Sequence, residues 1–432
     1  MGKRPSRVVI VGGGQAGGRL AQALARVEQS AVTLVCQEPH PPYERPPLSK
    51  GVLLGTRPFE SCLIWPAGDA AWERVNLRLD VSAVAIERET KTIRLDDGTS
   101  LGYDHLVLAT GSRLRRLTAP GSDLANIHSL RSYDQALAIA GDFGPRKRLV
   151  VVGGGFIGLE IAASARLRDL ETTVVEASDR LLARVVPARI ANLLARRHEK
   201  EGVTLRMGAM VERFISNGRG AVKAVELSTG ETLPCDVAVV GVGVAANIEL
   251  AEEAGLEVDV GIRVDASLRT SDPAIFAIGD VATFWHPLYD RHVRVEAWQN
   301  AEDHARVVAA ILSGKDAVVD TVPFFWSDQY DLSLQIVGLP HLGSSVVARV
   351  RQDGAAILFH LDPGGRIVGA TGLGTAGSIG RDIRLTQLLI AQRACPDRTV
   401  LKDPEGRLKA LIGSDITLPI PPVLAAEVQP GA

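Results

Sequence analysis

The sequence predicts an α/β protein with two dinucleotide-binding units, followed by a smaller C-terminal α+β domain. Three observations predict it. A β-branched apolar run leads into Gly12-Gly13-Gly14-Gln15-Ala16-Gly17, and a helix-like stretch follows. The same order returns at Leu149-Val150-Val151-Val152 and Gly153-Gly154-Gly155-Phe156-Ile157-Gly158. From about residue 321 the pattern changes to short strands and one late helix. A glycine-rich turn alone is weak evidence, but each copy here has its strand before it and its helical pattern after it. The first Gly of such a motif makes the tight turn, the second lets the backbone approach a pyrophosphate, and the third lets helix and strand pack closely. The helix N-terminus offers free N–H groups and partial positive charge to the phosphates. Two such loops imply two dinucleotides, with electrons moving between them. The alternative is one working site beside a decayed duplicate, but both copies keep all three glycines.

Composition sets the bounds. The chain has 432 residues, enough for two to four domains, and 46% of them are hydrophobic. A net charge of −2 gives no global field toward nucleic acid or a membrane surface. No segment approaches the roughly 18 uncharged apolar residues of a membrane span. The first strand begins within about seven residues, which leaves no room for a signal peptide and points to the cytoplasm. The four cysteines, Cys36, Cys62, Cys235 and Cys395, are widely spaced. That spacing argues against a disulfide framework, a redox-active disulfide, a zinc site and a protein-bound iron–sulfur cluster. They read as structural, and no metal site is expected.

The elements follow in order. Residues 18–26 read as a helix, with Leu20, Ala23, Leu24 and Val27 at helical spacing. A strand at 31–35 ends in Cys36-Gln37-Glu38, where an acid would accept hydrogen bonds from a ribose diol. Either Gln37 or Glu38 could make that contact. Residues 39–50 hold five prolines in nine positions and read as a rigid connector, neither helix nor central strand. Residues 83–86 and 91–95, with Asp96-Asp97-Gly98, read as small antiparallel strands and a turn. A buried strand at 106–108 closes in Ala109-Thr110-Gly111.

The second unit begins near residue 115. Its strand spans 149–152, its helix 156–168, and its next strand 172–175, ending at Glu176. Residues 222–227 and 236–240 repeat the hairpin-then-strand order of the first unit. A buried strand before Gly279-Asp280 places a carboxylate at a strand's C-terminal edge. A helix starts near Gln299 and runs through Ala301, Ala305, Val308 and Ile311. The last domain reads as strands at 332–337, 345–350, 356–361 and 367–371, then a helix at 381–393. From Pro419 the chain reads as a mobile tail.

Taken together, several motifs resemble the FAD-dependent ferredoxin reductases of oxygenase systems. They are Gly12-x-Gly14-x-x-Gly17, Pro46-Pro47-Leu48-Ser49-Lys50, Ala109-Thr110-Gly111, Gly153-x-Gly155-x-x-Gly158-Leu159-Glu160, Ile278-Gly279-Asp280 and Phe324-Phe325-Trp326-Ser327-Asp328-Gln329-Tyr330. The resemblance covers residues 7–415. The glycine motifs are common to a large superfamily, whereas the proline-rich segment and the Trp-Ser-Asp-Gln-Tyr block are far more specific. The resemblance implies two Rossmann-like domains arranged as in glutathione reductase. An FAD domain would comprise 1–115 and 245–320, an NADH domain 116–244, and a C-terminal α+β interface domain 321–432. It implies non-covalent FAD, NADH as co-substrate and a small 2Fe-2S ferredoxin as partner, which feeds a terminal oxygenase. A monomer or homodimer is expected, with no nucleic-acid or membrane partner. Two departures stand out. Cys36-Gln37 replaces the usual Gly-Asp or Gly-Glu, and Val244-Ala245-Ala246-Asn247 lacks the proline often found before the Asn.

The resemblance also implies site residues. Lys50 would sit by the flavin ring and pair with Glu160; a fixed cation there stabilises arriving negative charge. Outside this motif Lys50 would read as a surface lysine. Trp326 would stack near the flavin, with plain packing as the alternative. Asp280 would bind the ribityl chain, or else cap a helix. The FAD set comprises Gly12, Gly14, Gln15, Ala16, Gly17, Gln37 or Glu38, Arg45, Lys50 and Ala83. It continues with Ala109, Thr110, Gly111, Arg131, Gly279, Asp280 and Trp298. The NADH set comprises Gly153, Gly155, Phe156, Ile157, Gly158, Glu160, Glu176, Arg184 and Gly243. Glu176 lies 18 residues past Gly158. A carboxylate there binds a ribose diol and repels a 2′-phosphate, favouring NADH over NADPH. Arg180 and Arg184 pull the other way, since arginines receive phosphates. The leading expectation is hydride transfer from NADH to FAD, then single electrons to an iron–sulfur protein. A quinone- or monodehydroascorbate-type acceptor is the second reading. A redox-responsive binding protein like apoptosis-inducing factor is the third.

Overall fold

The computed structural model describes residues 4–28 and 30–412. The tail expected from Pro419 lies outside the described residues. Two five-stranded parallel sheets carry the two glycine loops. The first runs in the order Ile275–Ala277, His105–Leu108, Ser6–Val11, Ser30–Val35 and Val75–Arg78. Its central strand is buried from Val8 to Val11, as expected of a parallel strand covered on both faces. The helix Gln15–Leu24 buries Ala16, Leu20, Ala21 and Leu24 and packs against the helix Trp298–Leu312. The second sheet runs Thr204–Met207, Glu171–Glu176, Arg148–Val152, Val237–Val240 and Ile127–His128. Each loop therefore opens at the C-terminal edge of a central strand, where ligands of such sheets bind.

The duplication extends past the sheets. Each unit carries a three-stranded antiparallel sheet, from Ala83–Glu87 to Ser100–Gly102 in the first and from Val211–Ser216 to Thr232–Pro234 in the second. An antiparallel ribbon of Ser112–Leu114 and Val244–Ala246 carries the chain out of the first unit and back.

The C-terminal domain is an antiparallel sheet in the order Phe324–Gln329, Leu332–Gly338, Ile367–Thr375, Ala356–Leu361 and Ser345–Val350. One face packs on the helix Gly380–Ala391 through Ile383, Leu389 and Ile390. The other places Leu334, Leu358 and Leu373 against Ile190 and Leu194 of the second unit.

Several elements had no expectation attached, among them the helix Tyr133–Asp142 and the strand Phe324–Gln329, and two departures bear most on the site. The helix Ala188–Lys200 had no expectation attached; its buried face is Ile190, Ala191, Leu194 and His198. The connector at 39–50 is not free of helix, because Leu48–Val52 forms a π-helical turn. Pro47 enters it at φ −67°, which the proline ring already fixes, and a first-turn residue needs no N–H. The prolines thus set the turn up instead of forbidding it.

Candidate active site

The two glycine loops share one construction. Gly12 and Gly153 have φ of +114° and +112°, and a Cβ at either would lie 2.2 or 2.3 Å from the carbonyl oxygen of Ala109 or Gly241. A Cβ on Gly17 or Gly158 would lie 2.0 or 2.1 Å from the carbonyl oxygen of its own loop's first glycine. A Cβ on Gly14 or Gly155 would meet nothing within 4 Å. The outer glycines are thus closed in by protein, and the middle ones face open space at a helix N-terminus. That is the cradle a pyrophosphate requires.

Around the first loop, side chains converge from distant segments. Glu38 accepts from Arg45 at 2.6 Å and from the Tyr43 hydroxyl, while Gln37 is exposed. Arg45 also donates to the Arg131 carbonyl. Arg131 lies 3.7 Å from Asp280, which accepts from Ser112 at 3.1 Å. Burial, then the neighbouring Arg45, pull Arg131 below its usual pKa. Gly279 packs on Ala16, and its N–H donates to Nδ1 of buried His304, so the Gly279-Asp280 turn is held against the loop. Asp280 lies in a short 3₁₀ turn, Gly279–Val281, and makes no cap bond. Gln15 donates to Glu302 at 2.5 Å, yet its own Oε1 is buried without a partner among the described residues. Such an orphan beside the cradle fits a ligand donor. Asn247 clamps the ribbon through Thr110 and Gly111 without the preceding proline. Ala83 lies on the small sheet, two residues after Val81 donates to the Cys36 carbonyl. These residues fit FAD.

The second loop uses fewer side chains. Glu176 accepts from its own loop at Gly154 (2.7 Å) and from Ser178 (2.8 Å). Arg180 is spent on the carbonyls of Ala183 and Val186, each at 2.7 Å. Arg184 is exposed and lies beside Gly243. Ile157 is 47% exposed in the first helical turn, and Phe156 packs on Phe325 with ring centroids 4.4 Å apart.

Between the loops, the π-helical turn points Lys50 at Glu160, with Nζ 2.7 Å from Oε2. Glu160 is 4% exposed. Its Oε2 also accepts from Ser49 at 2.5 Å, and its Oε1 accepts from Ser327 at 2.6 Å. The strand Phe324–Gln329 runs beside this pair. Phe325 and Ser327 face the second unit's helix, while Trp326 faces Trp298 edge-on at 5.8 Å, with Phe324 alongside it. One strand therefore meets both nucleotide units.

Sequence reasoning did not single out Ser49, Tyr43, Ser112, His304 or Ser327 as site residues. For Ser327 the sequence carries no alternation signal, because Ser327, Asp328 and Gln329 are all polar; their alternation, with Ser327 and Gln329 buried and Asp328 exposed, appears only in the fold. The structural reading of the cysteines fits Cys36, Cys62 and Cys235, which are buried, but not Cys395, which is exposed because it follows the last long helix. Among the described residues no cluster of three metal-ligating side chains occurs, and no helix is long and apolar enough to cross a membrane.

Comparison with known proteins gives concordant matches. The family model described as pyridine nucleotide-disulphide oxidoreductase matches residues 6–305, and that described as reductase C-terminal matches 324–412. The chain is 43% identical over 411 residues to the anthranilate 1,2-dioxygenase system ferredoxin–NAD(+) reductase component of Burkholderia cepacia, across 94% of this chain and 98% of that protein. It is 40% identical over 363 residues to rhodocoxin reductase of Rhodococcus erythropolis, across 84% and 85% of the two chains. The covalent putidaredoxin reductase–putidaredoxin complex aligns with a TM-score of 0.89 at 34% identity, across 95% of this chain and 98% of the reductase chain.

Proposed function

The chain belongs to the pyridine nucleotide-disulphide oxidoreductase family, and on that premise we propose that it is an NADH-dependent FAD flavoprotein, a ferredoxin–NAD(+) reductase. Its acceptor is a small 2Fe-2S ferredoxin that feeds an oxygenase of Rieske or cytochrome P450 type. FAD supplies the conversion of a hydride taken from NADH into single electrons that an iron–sulfur cluster can accept. The first loop, with Glu38, Arg45, Arg131 and Asp280, holds the FAD. The second loop holds NADH, and Glu176 selects it over NADPH. Lys50 keeps a positive charge at the flavin ring, and Glu160 fixes its place. Trp326 of the C-terminal domain and Trp298 at the start of the helix Trp298–Leu312 cover the ring. The domains are FAD-binding at 1–115 and 245–320, NADH-binding at 116–244, and C-terminal from 321. The protein works in the cytoplasm.

The observation that carries this reading is the 2.7 Å contact between Lys50 and Glu160. It ties the segment after the first loop to the helix that begins at the second, where the two nucleotides must meet. The test is direct. Purified protein should be yellow, with one non-covalent FAD per chain, and should reduce cytochrome c from NADH when a candidate ferredoxin is added. Folded protein that takes up no FAD, or NADH oxidation that no ferredoxin couples to cytochrome c, would overturn it.

A further inference from the structure

We propose that Tyr330, His198, Gln329 and Ser327 form a one-directional chain of hydrogen-bond donors that ends on Glu160. They act as positioning residues for the Lys50–Glu160 pair, and so the inference rests on the role given to that pair above. The links are Tyr330 hydroxyl to His198 Nδ1 at 3.2 Å and His198 Nε2 to Gln329 Oε1 at 2.7 Å. Gln329 Nε2 then reaches Ser327 Oγ at 3.1 Å, and Ser327 Oγ reaches Glu160 Oε1 at 2.6 Å. Ser327, Gln329 and His198 are 1%, 2% and 0% exposed, so each polar atom must find its partner inside the protein.

The direction is forced link by link. A carboxylate beside an ammonium accepts and does not donate, so Ser327 spends its one hydrogen on Glu160. Ser327 Oγ then accepts, which turns the Gln329 amide with its nitrogen toward the serine. The amide oxygen is left facing His198, so His198 must carry its hydrogen on Nε2. Its Nδ1 is then an acceptor, and Tyr330 donates to it. Burial lowers the pKa of His198 and raises that of Tyr330, which keeps both neutral and the pattern intact. Tyr330 adopts φ +58°, unusual for an aromatic residue, at the turn after its strand. That conformation brings its hydroxyl to the histidine. Chains of aligned donors polarise one another, so the last link to Glu160 is strengthened by those behind it. The chain also spans two units: His198 lies on the helix Ala188–Lys200, and the other three residues lie on or just after the first C-terminal strand.

The consequence is a fixed tautomer three hydrogen bonds away from the carboxylate. In Glu160→Gln the Lys50 ammonium keeps the new amide's oxygen on its own side, and the amide nitrogen faces Ser327. Ser327, whose own hydrogen must still find an acceptor inside the protein, then donates toward Gln329, whose amide flips, and His198 accepts at Nε2. The whole chain reverses. Nitrogen-15 NMR of histidine-labelled holoenzyme, with His198 assigned against His198→Asn, reads this directly. The expected result is the Nε2–H tautomer in the parent and the Nδ1–H tautomer in Glu160→Gln. An imidazolium or Nδ1–H form in the parent, or an unchanged tautomer in the variant, overturns the proposal. If Glu160→Gln does not fold, Ser327→Ala and Gln329→Met serve instead. Each should slow FAD reduction by NADH about tenfold, the scale of a lost bond to a charged group, with KM for NADH within about twofold. Ser327→Thr should restore the rate. Parent-like rates in Ala and Met variants alike overturn the chain. Failure of NADH to reduce the parent would sink the proposed function and leave the tautomer result standing. A wrong tautomer in an active reductase removes the chain alone.

Discussion

The two nucleotide loops are built alike and furnished differently. Both close their outer glycines against carbonyl oxygens and leave the middle glycine open. They part at the end of the following strand. In the second unit the strand ends in Glu176, whose carboxylate accepts the N–H of Gly154 in its own loop. The matching place in the first unit is filled by Cys36, whose sulfur lies 2.3 Å from where a Cβ on Gly13 would fall. The acid comes two residues later as Glu38, and Tyr43 and Arg45 must hold it. The first site is therefore assembled from segments far apart in sequence, down to Arg131, Asp280 and Glu302. The second is largely its own loop and strand. A resident cofactor gains from contacts that many elements must release together, whereas a co-substrate that leaves at every turnover is better held by few.

The largest effect should come from the point where the two sites meet. Lys50→Met removes the cation beside arriving negative charge. It should slow FAD reduction by NADH roughly 5–150-fold, for a loss of about 1–3 kcal/mol in the transition state. The midpoint potential should fall with it. NADH binding should change less if, as proposed, Glu176 and the second loop hold the other end of the dinucleotide. Stopped-flow reduction decides the matter: a variant matching its parent in rate and potential makes Lys50 a bystander.

Next comes a paired test of the loops themselves. Gly14→Ala and Gly155→Ala each add one methyl group where the protein itself leaves space. Neither should harm folding. Each should weaken its own nucleotide about 10–100-fold, the scale of about 1–3 kcal/mol of crowding, and spare the other. Titration of FAD into apoprotein and of NADH analogues into holoprotein measures both. Equal losses at both sites from either variant would break the comparison, since the loops would then not act independently.

How much of this was legible in the sequence follows the same division. The geometry around the second loop was largely readable, because a loop, a helix and a strand-end acid are local signals. The first was readable at its glycines and at Gly279-Asp280, but its fittings were not. Tyr43 and Ser112 act on residues that the fold brings close, and no spacing announces a hydroxyl that will meet a carboxylate. Four of the five C-terminal strands were read from the sequence, but the first, Phe324–Gln329, and the helix Ala188–Lys200 were not. The helix's buried face is only Ile190, Ala191, Leu194 and the polar His198 in a run crowded with arginines, and its partner is a sheet more than a hundred residues away. The turn carrying Lys50 was hidden for another reason. Prolines exclude the middle of a helix but suit its start, so a run of prolines that ends at Pro47 forbids helix before it without forbidding a turn at Leu48–Val52.

A smaller effect should appear at Glu176. The parent should prefer NADH to NADPH by at least about tenfold in kcat/KM, roughly 1.4 kcal/mol. Glu176→Ala should bring that ratio toward parity, chiefly by lowering NADH efficiency. Arg180 cannot rescue NADPH strongly, because its guanidinium already serves carbonyls of the following turn. Arg184 is exposed beside the loop, so Glu176→Ala with Arg184→Ala should bind NADPH more weakly than Glu176→Ala alone. Equal efficiencies for the two nucleotides in the parent would refute the role of the strand-end acid.

The smallest effect on turnover should come from the cysteines, and it sharpens the comparison at Cys36. That residue stands where the second unit has Glu176, so the question is whether it does chemistry there. Its thiol is buried, and burial pushes its pKa up to about 12, as it does for Cys235. A thiol so rarely ionised is a poor nucleophile and a poor redox partner. The Cys235 sulfur is already engaged with the Val237 carbonyl, and all four cysteines are free. A thiol reagent applied to native protein should therefore modify Cys395 quickly and the other three slowly. Replacing all four with serine should leave FAD reduction by NADH within about twofold. Its cost should fall on stability instead, because three of the new hydroxyls enter the interior and need hydrogen-bond partners. A loss of roughly 1–3 kcal/mol for each unsatisfied hydroxyl would lower the melting temperature while leaving the surviving folded protein competent. Cys36→Ser alone separates the two possibilities. If it abolishes FAD reduction in protein that still binds FAD and melts near the parent, then the first site has a chemical group where the second has a binding group.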